Sequence, residues 1–195
     1  MRKNIQKLFA GIIAAAILSL GAVPAFAATT ATDTGTGSVT GNVTINGSIS
    51  PLTISVTHPI NAAYAISPDA GTFTAPDIAV TNNTKAAVSV TVRSLTAASG
   101  GTLTFTDVDP SSKNWSALNS ADSKKYIALG VKTKDTGWSA GYSTATHWAS
   151  DASPLPVGSL APNTTGNLAL TADYGLAFDA ACTANHSLVF LFQLT

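Results

Sequence analysis

The chain has 195 residues, only 10% of them charged, and its ten acids are all Asp. Ten Lys and Arg against ten acids leave no basic stripe to neutralise a phosphate backbone, which argues against a nucleic-acid partner. The single cysteine, Cys182, rules out an intramolecular disulfide, and the lack of Glu beside abundant Thr and Ser favours strands and turns over helices.

Residues 1–27 read as a signal peptide. Arg2, Lys3 and Lys7 form a basic start, Leu8 to Val23 an apolar core, and Pro24 to Ala27 ends in the small-x-small pattern that signal peptidase cleaves. A retained membrane anchor would need a longer span with different flanks. Cleavage after Ala27 leaves seven basic side chains against ten Asp, a net charge of about −3 that opposes self-association only weakly. An exported domain without disulfides must rely on its core, and the combination looks bacterial.

Residues 28–41 form a Thr/Gly tract with little to bury, which reads as a flexible N-terminal arm. Val39, Val43 and Ile45 alternate with small polar residues, so the arm can also be an extended strand that orders by pairing with a sheet edge of another copy. From residue 42 to 195 a single domain is expected. Asn42 to Val56 predicts two short strands around Asn46-Gly47, with Pro51 placing the second at an edge. Ala62 to Ile66 predicts another strand, closed by the turn Ser67-Pro-Asp-Ala-Gly71.

The stretch Asp77–Leu95 reads as strand, turn, strand. Ile78 and Val80 alternate with small or polar neighbours, Asn82 to Lys85 supply the turn, and Val88, Val90 and Val92 face away from Ser89, Thr91 and Arg93. Thr102 to Val108 predicts a strand with Leu103 and Phe105 inward. Residues 110–126 can hold one or two helical turns capped by Ser120 or Asp122. Tyr126 to Lys132 resumes a strand with Ile127, Leu129 and Val131 inward, and Asp135 to Pro156 reads as an irregular, aromatic excursion. Asn167 to Ala172 is a further strand. Ser187 to Leu194 is apolar without alternation until Gln193, which predicts a strand covered on both faces. About nine or ten short strands with almost no helix predict an all-β fold, a single β-sandwich of jelly-roll or immunoglobulin-like type.

Catalytic patterns are missing. A zinc-protease helix needs a Glu base, and none exists; no nucleophile elbow, P-loop or dinucleotide fingerprint is found. His58, His147 and His186 lack ligand spacing and are expected at the surface or rim. Cys182 and His186 stand four apart in a loop, where spacing does not imply contact, so the thiol is expected to be buried or inert. Asp107 and Asp109 alternate onto one face but lack the rest of a calcium loop, so a solvated turn is expected. No enzyme, cofactor or metal is therefore expected. Trp115, Tyr126, Trp138, Tyr142 and Trp148 cluster in sequence; Trp138, Tyr142 and Trp148 are candidates for stacking on sugar rings, against a second small core as the plainer reading. Six Asn-x-Ser/Thr triplets occur, about half of which such a composition produces by chance.

Phe73-Thr-Ala-Pro-Asp-Ile-Ala-Val-Thr-Asn-Asn-Thr84 with the following Val88–Val92 strand, and Val157-Gly-Ser-Leu-Ala-Pro-Asn-Thr-Thr-Gly-Asn-Leu-Ala-Leu170, resemble segments of exported Gram-positive β-sandwich proteins. The families are the WxL-type surface proteins and the TasA/camelysin-like matrix proteins. The chain departs from both: it has no Trp-x-Leu pair near residue 195 and no zinc-protease motif, and neither a Leu-Pro-x-Thr-Gly signal nor a lipobox cysteine is present. The resemblance implies a secreted, cell-surface or extracellular-matrix structural protein that can form fibres. The expected partners are other copies of itself or cell-wall polymers; a carbohydrate-binding module is the alternative.

Overall fold

The computed structural model describes residues 32, 34–36, 38, 43, 45, 47–134 and 137–195. The signal segment, Val39 and most of the Thr/Gly tract lie outside the described residues. The chain divides into Met1–Ser48 and Ile49–Thr195, and the fold below is that of the second unit. None of its helices is long and apolar enough to cross a membrane.

Eleven strands run through the described residues: β1 (Val56–Thr57), β2 (Ala65–Ser67), β3 (Thr72–Thr74), β4 (Ile78–Asn82), β5 (Val88–Ala98), β6 (Thr106–Asp107), β7 (Tyr126–Thr133), β8 (His147–Trp148), β9 (Leu155–Leu160), β10 (Thr165–Tyr174) and β11 (Asn185–Leu194). One sheet has the order β1-β4-β10-β7-β6, with β8 also on β7; the second is β11-β5-β9, and β2 and β3 form a separate hairpin. All pairs are antiparallel except β6 with β7. Ile78, Val80, Ile127, Leu129, Val131 and Leu168 of the first sheet join Val90, Val92, Leu95, Val157 and Leu160 of the second in one buried cluster. The fold is all-β, and its core is shared by two sheets, as a β-sandwich requires.

The Asp77–Leu95 stretch forms the two strands its alternation predicts, but they do not pair with each other. β4 lies in the first sheet and β5 in the second, so Asn82 to Ala87 is a crossover between sheets. Ile78, Val80, Val88, Val90 and Val92 are all buried, each worth roughly 1.5–3 kcal/mol of transfer free energy. Strict alternation would turn Leu95 outward. Instead the ladder slips between Val189 and Phe190, leaving Arg93 without a partner, and the bulge returns Leu95 to the core at 2% exposure. A second bulge does the same for Val157, which stands between the paired Pro156 and Gly158 of β9.

The crossover is held by Asn82, which is fully buried. Its side-chain nitrogen donates to the carbonyls of Ala86 (2.9 Å), Leu160 (2.9 Å) and Ala161 (3.1 Å), and its side-chain oxygen accepts from the Thr84 N–H (2.8 Å). Its backbone N–H and carbonyl bond Thr164 and Asn163 at 2.9 and 2.8 Å, so one residue stitches the β4–β5 crossover to the β9–β10 turn. Asn163 takes the positive φ (58°) of that turn, a conformation asparagine tolerates.

Several expectations are corrected. Residues 48–55 form no strand, and Ile49 is 99% exposed: with Pro51 lacking a donor and no neighbour in register, the hairpin predicted around Asn46-Gly47 does not form on that side. The turn at 67–71 does form, closed by Gly71 N–H to Pro68 O at 3.1 Å, but of the strand expected over Ala62 to Ile66 only Ala65 and Ile66 pair, in β2, and the turn leads into a further strand, β3. Of the strand expected over 102–108 only Thr106–Asp107 pairs, with Phe105 buried and Leu103 half-buried. The helical turns near 110–126 are capped by Asp109, which accepts from Ser111 N–H, and by Asn119, which accepts from Asp122 N–H, rather than by Ser120 or Asp122. Finally, β11 is not covered on both faces: it is an edge strand, with Val189 40% and Leu191 36% exposed.

Candidate functional site: an open sheet edge and the cleft behind it

Each sheet edge presents backbone N–H and C=O groups that must be covered, shortened or charged to prevent pairing with another chain. β1, β6 and β8 are only two residues long. β9 is longer, but its outer edge is occupied: Ser139 N–H bonds Ser159 O at 2.8 Å and Ser143 N–H bonds Val157 O at 2.6 Å, so residues 139–143 act as a cover. β11 differs. It is ten residues long, pairs with β5 alone among the described residues, and contains no Lys, Arg, Asp, Glu or Pro.

Alongside β11 runs the segment 58–64, without a backbone hydrogen bond to it among the described residues. The contact is by side chains. The His58 ring lies 6.0 Å from Phe190 and 5.9 Å from Phe192, and at the other end the Tyr64 hydroxyl is 3.4 Å from Nδ1 of His186. Between this strap and the core lies a cleft of about 1300 Å³, lined by Ile66, Ile78, Leu95, Leu129 and Leu170 and by the inward side chains Leu188 and Phe190 of β11. The cleft is partly open, and polar residues such as Asn61, Asp69, Asp179 and Asn185 share its lining with these apolar side chains.

A hydrogen-bonded polar chain stands in the cleft lining around His186. Nε2 of His186 sits 3.0 Å from Oδ1 of Asp107, whose Oδ2 accepts the Ala97 N–H at 2.8 Å. The His186 ring also lies parallel to Phe105, and Tyr64 stacks on Phe73. Burial, followed by the nearby Asp107 carboxylate, pushes the Tyr64 phenol up to about 12, so it stays a neutral hydrogen-bonding group. The Tyr64–His186–Asp107 chain ties together the strap, the start of β11 and β6. The phenol is held protonated, and among the described residues no hydrogen bond joins Cys182 to His186.

The histidines expected at the surface diverge. His58 is exposed, the His186 side chain is only 4% exposed, and His147 is buried at 2%. His147 faces inward beside Val131, with Nδ1 3.9 Å from Asp151 and Nε2 unpartnered; burial lowers its pKa. Cys182 is exposed, not buried, and lines the mouth of the cleft. Asp107 and Asp109, read as a shared solvated turn, have separate tasks: one pairs with His186 and the other caps Pro110–Ser112. Among the described residues no group of three or more His, Cys and Asp could hold a metal.

The aromatic cluster is divided too. Trp138 is 7% exposed, donates from its indole nitrogen to Asn167 O at 3.2 Å, and lies against Gly166, where an added Cβ would strike its ring. Trp138 therefore packs as the plainer reading of the aromatic cluster expects, with little of its ring exposed. Tyr142 packs over Gly158 and Trp148 over Gly130, each half-buried. Of the strand-donation residues, Val43 and Ile45 are 87% and 91% exposed, and Val39 lies outside the described residues.

No known protein family, curated protein or solved structure matches the chain.

Proposed function

We propose that this is a non-enzymatic structural protein of the cell surface or extracellular matrix, exported through its N-terminal leader, that self-associates into fibres by strand donation. The observation that carries the reading is the open edge of β11, ten residues with no Lys, Arg, Asp, Glu or Pro, where the other sheet edges among the described residues are short or occupied. An edge left in this state invites pairing with another chain. A net charge of about −3 on residues 28–195 adds little repulsion between copies. The resemblance to WxL-type and TasA/camelysin-like proteins points the same way.

The test compares a chain starting at Ala28 with one starting at Gly47, by light scattering on a sizing column and negative-stain microscopy. Large oligomers or filaments from the longer chain and monomers from the shorter support donation by the arm. Monomers from both would refute it and move attention to glycan binding by Tyr142 and Trp148.

A further inference from the structure

We infer that the acceptor for the donated strand is the cleft behind β11, and that its occupant is residues 39–49 of a second copy. This rests on the self-association reading above and assigns it a site. Across that segment Val39, Gly41, Val43, Ile45, Gly47 and Ile49 alternate without a break with Thr40, Asn42, Thr44, Asn46 and Ser48. Such a segment has one apolar face and one polar face when extended. It spans eleven residues against the ten of β11, carries no charge, and ends just before Pro51, which cannot donate to a ladder.

The two features are complementary. The arm has apolar side chains with no cover, Val43 at 87%, Ile45 at 91% and Ile49 at 99% exposure. The cleft offers a surface for them: about 1300 Å³ bordered by Leu129, Leu170, Leu188 and Phe190, with polar groups such as Asn61, Asp179 and Asn185 along its rim and the free edge of β11 at one side. An extended chain laid on β11 satisfies the strand's free backbone groups, and its alternate side chains fill the space above Leu129 and Leu170. The strap 58–64 meets β11 through the side chains of His58 and Tyr64 and makes no backbone hydrogen bond to it among the described residues, so an incoming strand can displace it without breaking a ladder.

Cys182 provides a position marker, because it stands exposed three residues before β11. The full chain, produced through its own leader and recovered outside the cell, is prepared as Ser38→Cys and Ser50→Cys variants, each also in a Cys182→Ser background. Mild oxidation then follows assembly. A parallel donated strand brings position 38 to Cys182, and an antiparallel one brings position 50. The expected result is a reducible ladder of species larger than dimers from one of the two variants, lost with Cys182→Ser. If light scattering shows oligomers but neither variant gives a ladder beyond that of the parent, the acceptor is another edge, and this inference fails while self-association stands. A linkage confined to single chains means the arm covers its own β11, which overturns the second copy as occupant. Chains that remain monomeric throughout overturn both readings.

Discussion

The side-chain amide of Asn82 donates to the Leu160 carbonyl across 78 residues of sequence at 2.9 Å, joining the last residue of β4 to the last residue of β9. Since β4 and β9 belong to different sheets, this buried hydrogen bond ties the two layers at one end of the core. Replacing Asn82 with Ala leaves the carbonyls of Ala86, Leu160 and Ala161 and the Thr84 N–H without that partner. Each orphaned buried group costs about 1–3 kcal/mol, so Asn82→Ala is expected to lose about 3 kcal/mol or more in urea unfolding. A loss below about 1 kcal/mol would mean that the crossover is held by packing alone.

Acid sensitivity is expected from His147. Burial lowers its folded-state pKa below the ordinary 6.5, so the unfolded chain binds the proton more readily. The stability this contributes is present above that ordinary value and is lost as pH falls below it. Unfolding free energy measured at pH 7 and pH 5 should therefore drop more in the parent than in His147→Gln, which has no proton to gain. Equal drops would show that Nε2 is not where the cost arises.

Trp148 lies over Gly130, and a Cβ at that position would sit 2.8 Å from its ring and 2.6 Å from the Thr146 methyl. Gly130→Ala is expected to destabilise the protein by about 1–3 kcal/mol through overpacking. It should also change the tryptophan emission, since the ring must move. An unchanged spectrum and melting temperature would show that β8 shifts away freely.

Leu191 is 36% exposed on the open edge strand. Leu191→Lys places there the kind of charge that natural edges use to prevent pairing. Oligomer mass should fall towards the monomer while the melting temperature of the domain stays within a few degrees. Assembly at parental strength would count against β11 as the contact.

The sequence showed the parts of this fold that depend on local alternation. Ile127, Leu129 and Val131 are buried at 0–1% as their spacing predicts, and the same holds for Val88, Val90 and Val92. β9 was not legible because Pro156 fell within the Asp135 to Pro156 excursion and Gly158 interrupts the apolar alternation; in the structure the two flank a bulge. β11 was misjudged because apolarity on both faces has two causes: burial between layers, or an edge left open for a partner. The Asp107–His186 pair is 79 residues apart and follows from topology alone, with no local signal to announce it. Asn82 was legible as a turn former, but its burial depends on the β9–β10 turn closing over it.

The measurement that bears most directly on the central claim is amide hydrogen exchange across β11 in the monomeric and assembled states. In the monomer, only the amides facing β5 should be protected. Assembly should slow the outward-facing set, in Asn185–Leu194, by at least about a hundredfold. Outward amides that exchange equally fast in both states would contradict pairing at this edge.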